Sequence, residues 1–179
     1  LCLQWTASQR LELQAGNRGD PALPLIYMSL EEAVSRVALN LERQDFVEVY
    51  AHHDADGIAA GSILCTALYR KGIRFRLRTQ DRISPASLSP DTPAVLCDLG
   101  SGLEDLPGGV MVIDHHIPRF EGELHVNPRH DGIDADRELS SAGAAYLVAN
   151  ELGDNRDLAG LVMLGIIGDD QELAGKNLE

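Results

Sequence analysis

Blocks of apolar residues separated by polar turns run along most of the chain. Apolar positions recur at helical spacing from Ser29 to about Arg43 and again from Gly57 to Arg70, which predicts two helices that each pack on a core. Shorter runs with strand character occupy residues 46–51, 73–79, 94–98 and 110–114. This order of elements predicts an α/β fold with a mostly parallel, doubly wound (Rossmann-like) sheet and helices on both faces.

The second half of the chain contains an irregular segment and two further helices. Residues 117–139 are polar and rich in turn signals. Ser140 or Ser141 can cap a helix that ends near Gly153, and Asn155 can cap another. We therefore expect helices rather than strands after residue 140.

The N-terminal part differs from the rest. We interpret residues 1–28 as an N-terminal extension of uncertain status and residues 29–179 as one domain. Met28 is followed by the sequence SLEE, which has the pattern of a helix-capping box. We therefore expect the functional start of the domain to lie close to Met28.

Composition narrows the class of protein. A hydrophobic fraction of 44% indicates a folded domain. The formal net charge of −13 is opposite to that of an autonomous nucleic-acid-binding domain, and an aromatic fraction of 4% leaves few side chains for base stacking. We expect weak binding of long nucleic acids, with divalent cations neutralising some of the charge.

The cysteines indicate a reducing compartment. Cys2, Cys65 and Cys97 show neither paired nor metal-binding spacing, and we expect Cys65 and Cys97 to be buried, reduced thiols. A cytoplasmic location fits this usage. No apolar run approaches the ~18 residues that span a membrane, so no membrane partner is expected.

Side chains that bind metals occur at four places, and the first three of these directly follow predicted strands. These are His52, Asp54 and Asp56, then Asp98, then Asp114, His115 and His116, and finally Asp169 with Asp170. The carboxyl ends of parallel strands share one edge of a sheet, where open α/β sheets bind ligands. Carboxylates with a few imidazoles suit Mn²⁺ or Mg²⁺. Two such ions ~3.5–4 Å apart can activate water for attack on a phosphoryl centre, and Asp98 is the natural bridging carboxylate.

Four motifs, HHDADG, CDLG, IDHH and IIGDD, together resemble the ordered motifs of the DHH phosphoesterase superfamily. They are most similar to those of the RecJ-like single-strand nucleases, particularly the archaeal type. The resemblance implies a catalytic DHH domain that binds a pair of divalent ions, Mn²⁺ or Mg²⁺. It assigns Asp54, Asp56, Asp98, His115 and Asp169 as metal ligands, with Asp170 as the alternative to Asp169.

The same resemblance assigns the catalytic side chains. His116 would contact the scissile phosphate or protonate the leaving oxygen, and Asp114 would orient a histidine from behind. His52 is predicted as a metal ligand and His53 as its alternative. RecJ-type proteins carry an acidic residue at the His52 position, so this assignment departs from their pattern.

The predicted activity is a metal-dependent phosphodiesterase that hydrolyses single-stranded DNA or RNA from an end. One alternative is a diesterase for oligoribonucleotides or cyclic dinucleotides. Another is a catalytically silent scaffold with partner proteins in replication or repair, although such relatives usually lose motif carboxylates that are present here. The direction of digestion stays open. The C-terminal substrate-binding domain of the family is expected to be absent from this chain.

Overall fold

The computed structural model describes residues 28–171. The predicted extension, apart from Met28, therefore lies outside the described residues, as do Cys2 and the last part of the predicted domain. The strands are β1 (Phe46–His52), β2 (Arg74–Gln80), β3 (Ala94–Cys97), β4 (Val110–Ile113) and β5 (His125–Val126). They form one parallel sheet in the order β2-β1-β3-β4-β5. The predicted α/β class and parallel sheet are thus confirmed.

In the described part of the chain, four α-helices accompany the sheet, namely α1 (Leu30–Leu41), α2 (Ala55–Lys71), α3 (Ser141–Leu152) and α4 (Ala159–Gly168). The predicted capping box starts α1, because Ser29 Oγ accepts from the Glu32 amide and the Glu32 carboxylate accepts from the Ser29 amide. Gly72 ends α2 in the left-handed conformation, as expected for a residue without Cβ. Both helices predicted in the first half are confirmed.

The two faces of the sheet are covered differently. Alternate residues such as Val49, Val95 and Met111 join the large core formed with all four helices. The opposite alternation, including Tyr50 and Leu96, packs against loops. The described structure therefore differs in one detail from the prediction of helices on both faces. The second face carries loops and a 3₁₀ turn at Pro85–Ser87, because the connections that cross it are rich in Gly and Pro.

Two further details were not predicted. The short strand β5 lies within the segment that we expected to be irregular. Asn155 caps no helix with its side chain. It precedes a 3₁₀ turn, Arg156–Leu158, and its side-chain amide donates to the carbonyls of Ala149 and Gly153. These two hydrogen bonds are formed in place of the predicted cap.

The cysteines agree with the expectation from the sequence. Cys65 and Cys97 are free and buried, and burial raises the pKa of Cys65 to about 12. None of the helices in residues 28–171 has the length and apolarity needed to cross a membrane.

Candidate metal centre

The first motif turns sharply from β1 into α2. Asp54 is the N-cap of α2, and its carboxylate accepts from the Gly57 amide at 2.9 Å. A side chain at Gly57 would place Cβ 2.5 Å from His52 Cβ, so only glycine permits this close approach. Burial raises the pKa of Asp54, but the Gly57 amide and His52 bring it below its ordinary value.

Asp56 is held by the N-terminus of a distant helix. Its carboxylate accepts from the backbone amides of Ser141 at 2.7 Å and Ala142 at 2.9 Å, in the first turn of α3. The unpaired amides and dipole of a helix N-terminus favour an anion at this place. Asp56 is fully buried, and this burial raises its pKa above the ordinary value despite the amides.

Asp98 lies at the centre of the site. It follows β3 with φ of 59°, a left-handed conformation that is uncommon outside glycine. Its carboxylate oxygens lie 3.4 Å from His52 Nδ1, 3.6 Å from His115 Nε2 and 3.5 Å from His116 Nδ1. Ser141 Oγ donates to it at 2.8 Å. Asp98 therefore contacts side chains of the first motif, the third motif and the start of α3.

The charge around Asp98 is strongly negative. Burial, together with the neighbouring charges of Asp56 and Asp114, raises the pKa of Asp98 to about 9. Within residues 28–171, the ion pairs of the site carboxylates are all with histidines. A buried group of carboxylates that is paired with histidines is suited to bind divalent cations, which would neutralise the negative charge.

Asp114 orients His116. Its Oδ1 accepts from His116 Nδ1 at 2.8 Å, and its other oxygen accepts from the Ser101 amide at 2.9 Å. Burial would raise the pKa of Asp114, but the hydrogen bonds from His116 and Ser101 hold it well below its usual range. The Asp114 hydrogen bond raises the pKa of His116. Asp114 therefore lies behind His116 and is hydrogen-bonded to its ring.

His115 points the other way, into the carboxylates. Its Nδ1 lies 2.9 Å from the carbonyl of Ala135, which fixes the ring. Its Nε2 lies 3.1 Å from Asp169 Oδ2 and 4.0 Å from Asp56 Oδ2. Burial lowers the pKa of His115, but the hydrogen bond with Asp169 and the nearby carboxylates raise it to about 9.

The six predicted metal-binding side chains fall into two adjacent sets, in each of which the ligand atoms lie within 4.8 Å of one another. The first ligand group is His52, Asp54 and Asp98, and the second ligand group is Asp56, His115 and Asp169. Asp98 also approaches His115, which joins the two groups, and these two residues form a third set with His116. Neither His53 nor Asp170 belongs to them. A further set, His52, His53 and Asp81, lies at the rim, and we call it the outer group.

Several contributing residues were missed from the sequence. Ser140 or Ser141 was expected to cap a helix, and the Ser140 cap is present, whereas the contacts of Ser141 with Asp56 and Asp98 were not foreseen. Asn127 donates to Ser101 Oγ and to the His116 carbonyl, both within 2.9 Å. The sequence indicates a turn at Asn127 and Pro128, which does not predict these two contacts.

Comparisons with known proteins show what this chain is similar to. An uncharacterised protein of Methanocaldococcus jannaschii is 32% identical over 149 residues, which cover 73% of this chain and 34% of that protein. The chain thus spans about a third of the length of this relative. The crystal structure of RecJ in complex with Mn²⁺ from Thermus thermophilus matches with a TM-score of 0.66 and 26% identity, covering 89% of this chain and 27% of RecJ.

A crystal structure of exonuclease RecJ bound to manganese has a TM-score of 0.63 at 23% identity, covering 87% of this chain and 47% of that protein, and this similarity shows the fold. The family described as DHH family, N-terminal domain, matches residues 47–166, well over half of the chain. The chain therefore belongs to the DHH family.

Proposed function

We propose that this domain is a phosphodiesterase that hydrolyses single-stranded nucleic acid from an end, using two divalent ions, Mn²⁺ or Mg²⁺. The observation that carries the proposal is the central position of Asp98 between two ligand groups. The similarity to RecJ, whose crystal structures are described as complexes with Mn²⁺ and Mg²⁺, supports both the activity and the ions.

Each of the two ligand groups would bind one ion. The first ligand group would hold one ion and the second ligand group the other, with the Asp98 carboxylate shared. When bound, the ions would activate water and stabilise the charge that develops on the phosphoryl oxygens. The amides of Ser141 and Ala142 hold Asp56 in one orientation, and the Ala135 carbonyl does the same for His115.

His116 is the residue that would act on the leaving group. Its Nδ1 is engaged by Asp114, and its side chain is 56% exposed, so Nε2 is the ring nitrogen available to a substrate. The hydrogen bond to Asp114 raises the pKa of His116 and so favours the protonated ring. A proton at Nε2 can stabilise the phosphoryl charge or pass to the leaving oxygen.

The acidic surface favours a second candidate, a diesterase for oligoribonucleotides or cyclic dinucleotides. A net charge of −13 opposes binding of a long polyanion, because few phosphates could be neutralised by this chain. A substrate with only one or two phosphates meets less of this repulsion. A silent scaffold is less well supported, since all the motif carboxylates are present. Replication or repair partners and a cytoplasmic location stay predictions.

The test is a hydrolysis assay of the full-length natural protein with Mn²⁺. Labelled single strands of DNA and RNA are compared with dinucleotides and cyclic dinucleotides, using Asp98→Asn as the inactive variant and the exposed Asp91→Asn as its control. Release of mononucleotides from strands by the wild type and Asp91→Asn supports exonuclease action. Hydrolysis restricted to dinucleotides supports the second candidate. Equal activity of Asp98→Asn would contradict both.

A further inference from the structure

The outer group lies where two neighbouring strands end. His52 is the last residue of β1 and pairs in register with Gln80, the last residue of β2. The next residue along each strand, His53 and Asp81, therefore emerges at the same edge. The His53 and Asp81 side chains are 59% and 71% exposed. Nothing in the proposed hydrolysis uses either of them.

The three side chains converge with their ligand atoms. Asp81 Oδ1 lies 3.9 Å from His52 Nε2 and 3.8 Å from His53 Nδ1. Around a tetrahedral ion with bonds of about 2.0–2.1 Å, ligand atoms stand about 3.4 Å apart. These two separations need to contract by about half an ångström, and all the ligand atoms of the set lie within 4.8 Å of one another. Arg82 lies 3.6 Å from the other oxygen, Oδ2, so Oδ1 stays directed at the histidines.

The two nitrogens of His52 face different groups. Nδ1 lies 2.6 Å from Asp54 Oδ2 and 3.4 Å from Asp98 Oδ2 but makes no hydrogen bond among the described residues, whereas Nε2 faces Asp81. A histidine that binds a metal through one nitrogen commonly donates the other N–H to a carboxylate. A proton on Nδ1 would lie close to the Asp54 carboxylate and would leave the lone pair of Nε2 for the outer group.

A neutral imidazole cannot serve both groups at once. If Nδ1 binds an ion in the first ligand group, the ring proton moves to Nε2, which then has no lone pair for the outer group. If Nε2 binds an outer ion, Nδ1 keeps its proton and the first ligand group loses a ligand. Occupation of one group therefore weakens the other.

The geometry points to a third metal site at the outer group, selective for a nitrogen-preferring ion such as Zn²⁺. When Zn²⁺ occupies this site, the affinity of the first ligand group for Mn²⁺ falls. Two imidazoles and one carboxylate form a typical Zn²⁺ ligand set, and the exposed side leaves a fourth position for water. The site itself is independent of the proposed hydrolysis. The competition rests on His52 as a ligand of the first ligand group.

The experiment counts bound Zn²⁺ by equilibrium dialysis and elemental analysis, with Asp81→Asn and His53→Gln as test variants. Both residues are exposed, so the variants are expected to fold, and Asp91→Asn is the matched surface control. The wild type and Asp91→Asn should bind one Zn²⁺ more than either test variant. The outer Zn²⁺ should remain in Asp98→Asn, in which the proposed catalytic ions are weakened. Equal Zn²⁺ counts in the wild type and both test variants would overturn the outer site.

The competition is measured by Mn²⁺ binding, using the electron paramagnetic resonance signal of free Mn²⁺. One equivalent of Zn²⁺ should weaken Mn²⁺ binding about tenfold or more in the wild type, and this effect should vanish in Asp81→Asn. If Zn²⁺ weakens Mn²⁺ binding equally in Asp81→Asn, it competes directly at the catalytic groups and the proposed coupling is wrong. Neither measurement depends on hydrolysis, so an inactive protein would not affect the result.

Discussion

Gly165 of α4 packs its backbone against the carboxylate of Asp56. A Cβ atom at Gly165 would overlap Asp56 Oδ1 and would lie 2.7 Å from Ala142 Cβ. The second ligand group therefore depends on the absence of a side chain at this position, and α4 can approach the α3 N-terminus only because residue 165 is glycine.

The first prediction compares two glycines of the same helix. Gly165→Ala should destabilise the domain by about 1–3 kcal/mol through overpacking and should weaken metal binding, because Asp56 must move. Gly160 is exposed with no atom within 4 Å of its Cβ position, so Gly160→Ala should instead stabilise by up to about 1 kcal/mol. Chemical denaturation with and without Mn²⁺ measures both. Similar effects of the two changes would contradict the packing argument.

The second prediction separates two adjacent carboxylates. Asp169 contacts His115 Nε2, whereas Asp170 has φ of 52° and belongs to no ligand group. Asp169→Asn should therefore remove Mn²⁺ from the second ligand group and abolish hydrolysis. Asp170→Asn should leave both unchanged, since asparagine tolerates the left-handed conformation. Calorimetric titration with Mn²⁺ distinguishes them, and loss of binding in Asp170→Asn alone would reverse the assignment.

The third prediction concerns pH and the central carboxylate. The pKa of Asp98 is raised from 3.8 to about 9 in the metal-free protein, so Asp98 is protonated at pH 7 when folded and ionised when unfolded. Its contribution to stability is complete below pH 3.8 and is lost as the pH rises to about 9. Binding of a divalent ion at pH 7 must displace this proton.

Calorimetry in buffers of different ionisation enthalpy should therefore show proton release when Mn²⁺ binds at pH 7. The apparent affinity for Mn²⁺ should rise with pH up to about 9. Heats that are identical in all buffers would show that Asp98 is already ionised.

The fourth prediction tests the orientation of His116. Asp114→Asn removes the charge that raises the pKa of His116, so this pKa should fall towards its ordinary value in an NMR titration. Hydrolysis should fall about 10–100-fold, as for other carboxylates that orient a functional histidine. Asp91→Asn serves as the surface control. A lower rate with an unchanged His116 pKa would point to a structural role for Asp114 alone.

The strands and carboxylates that were predicted from the sequence can be recognised from neighbouring residues alone. Each of Asp98 and Asp114 directly follows an apolar run, and parallel strands bring such positions together whatever the connections are. Strand β5 was missed because two residues show no alternation, and its pairing depends on the neighbouring strand β4. The contacts of Ser141 with two carboxylates were also missed, since they join segments that are distant in sequence.

The burial of Asp56 has a consequence for local opening of the fold. Its carboxylate is enclosed by the α3 N-terminus and by Gly165 of α4, so the last described helix cannot move away without exposing it. Separation of α4 and disassembly of the second ligand group are thus one event. An ion bound to that group stabilises the closed form by mass action. Amide hydrogen exchange along α4 should therefore slow as the Mn²⁺ concentration rises, while exchange in β2, at the far edge of the sheet, stays constant.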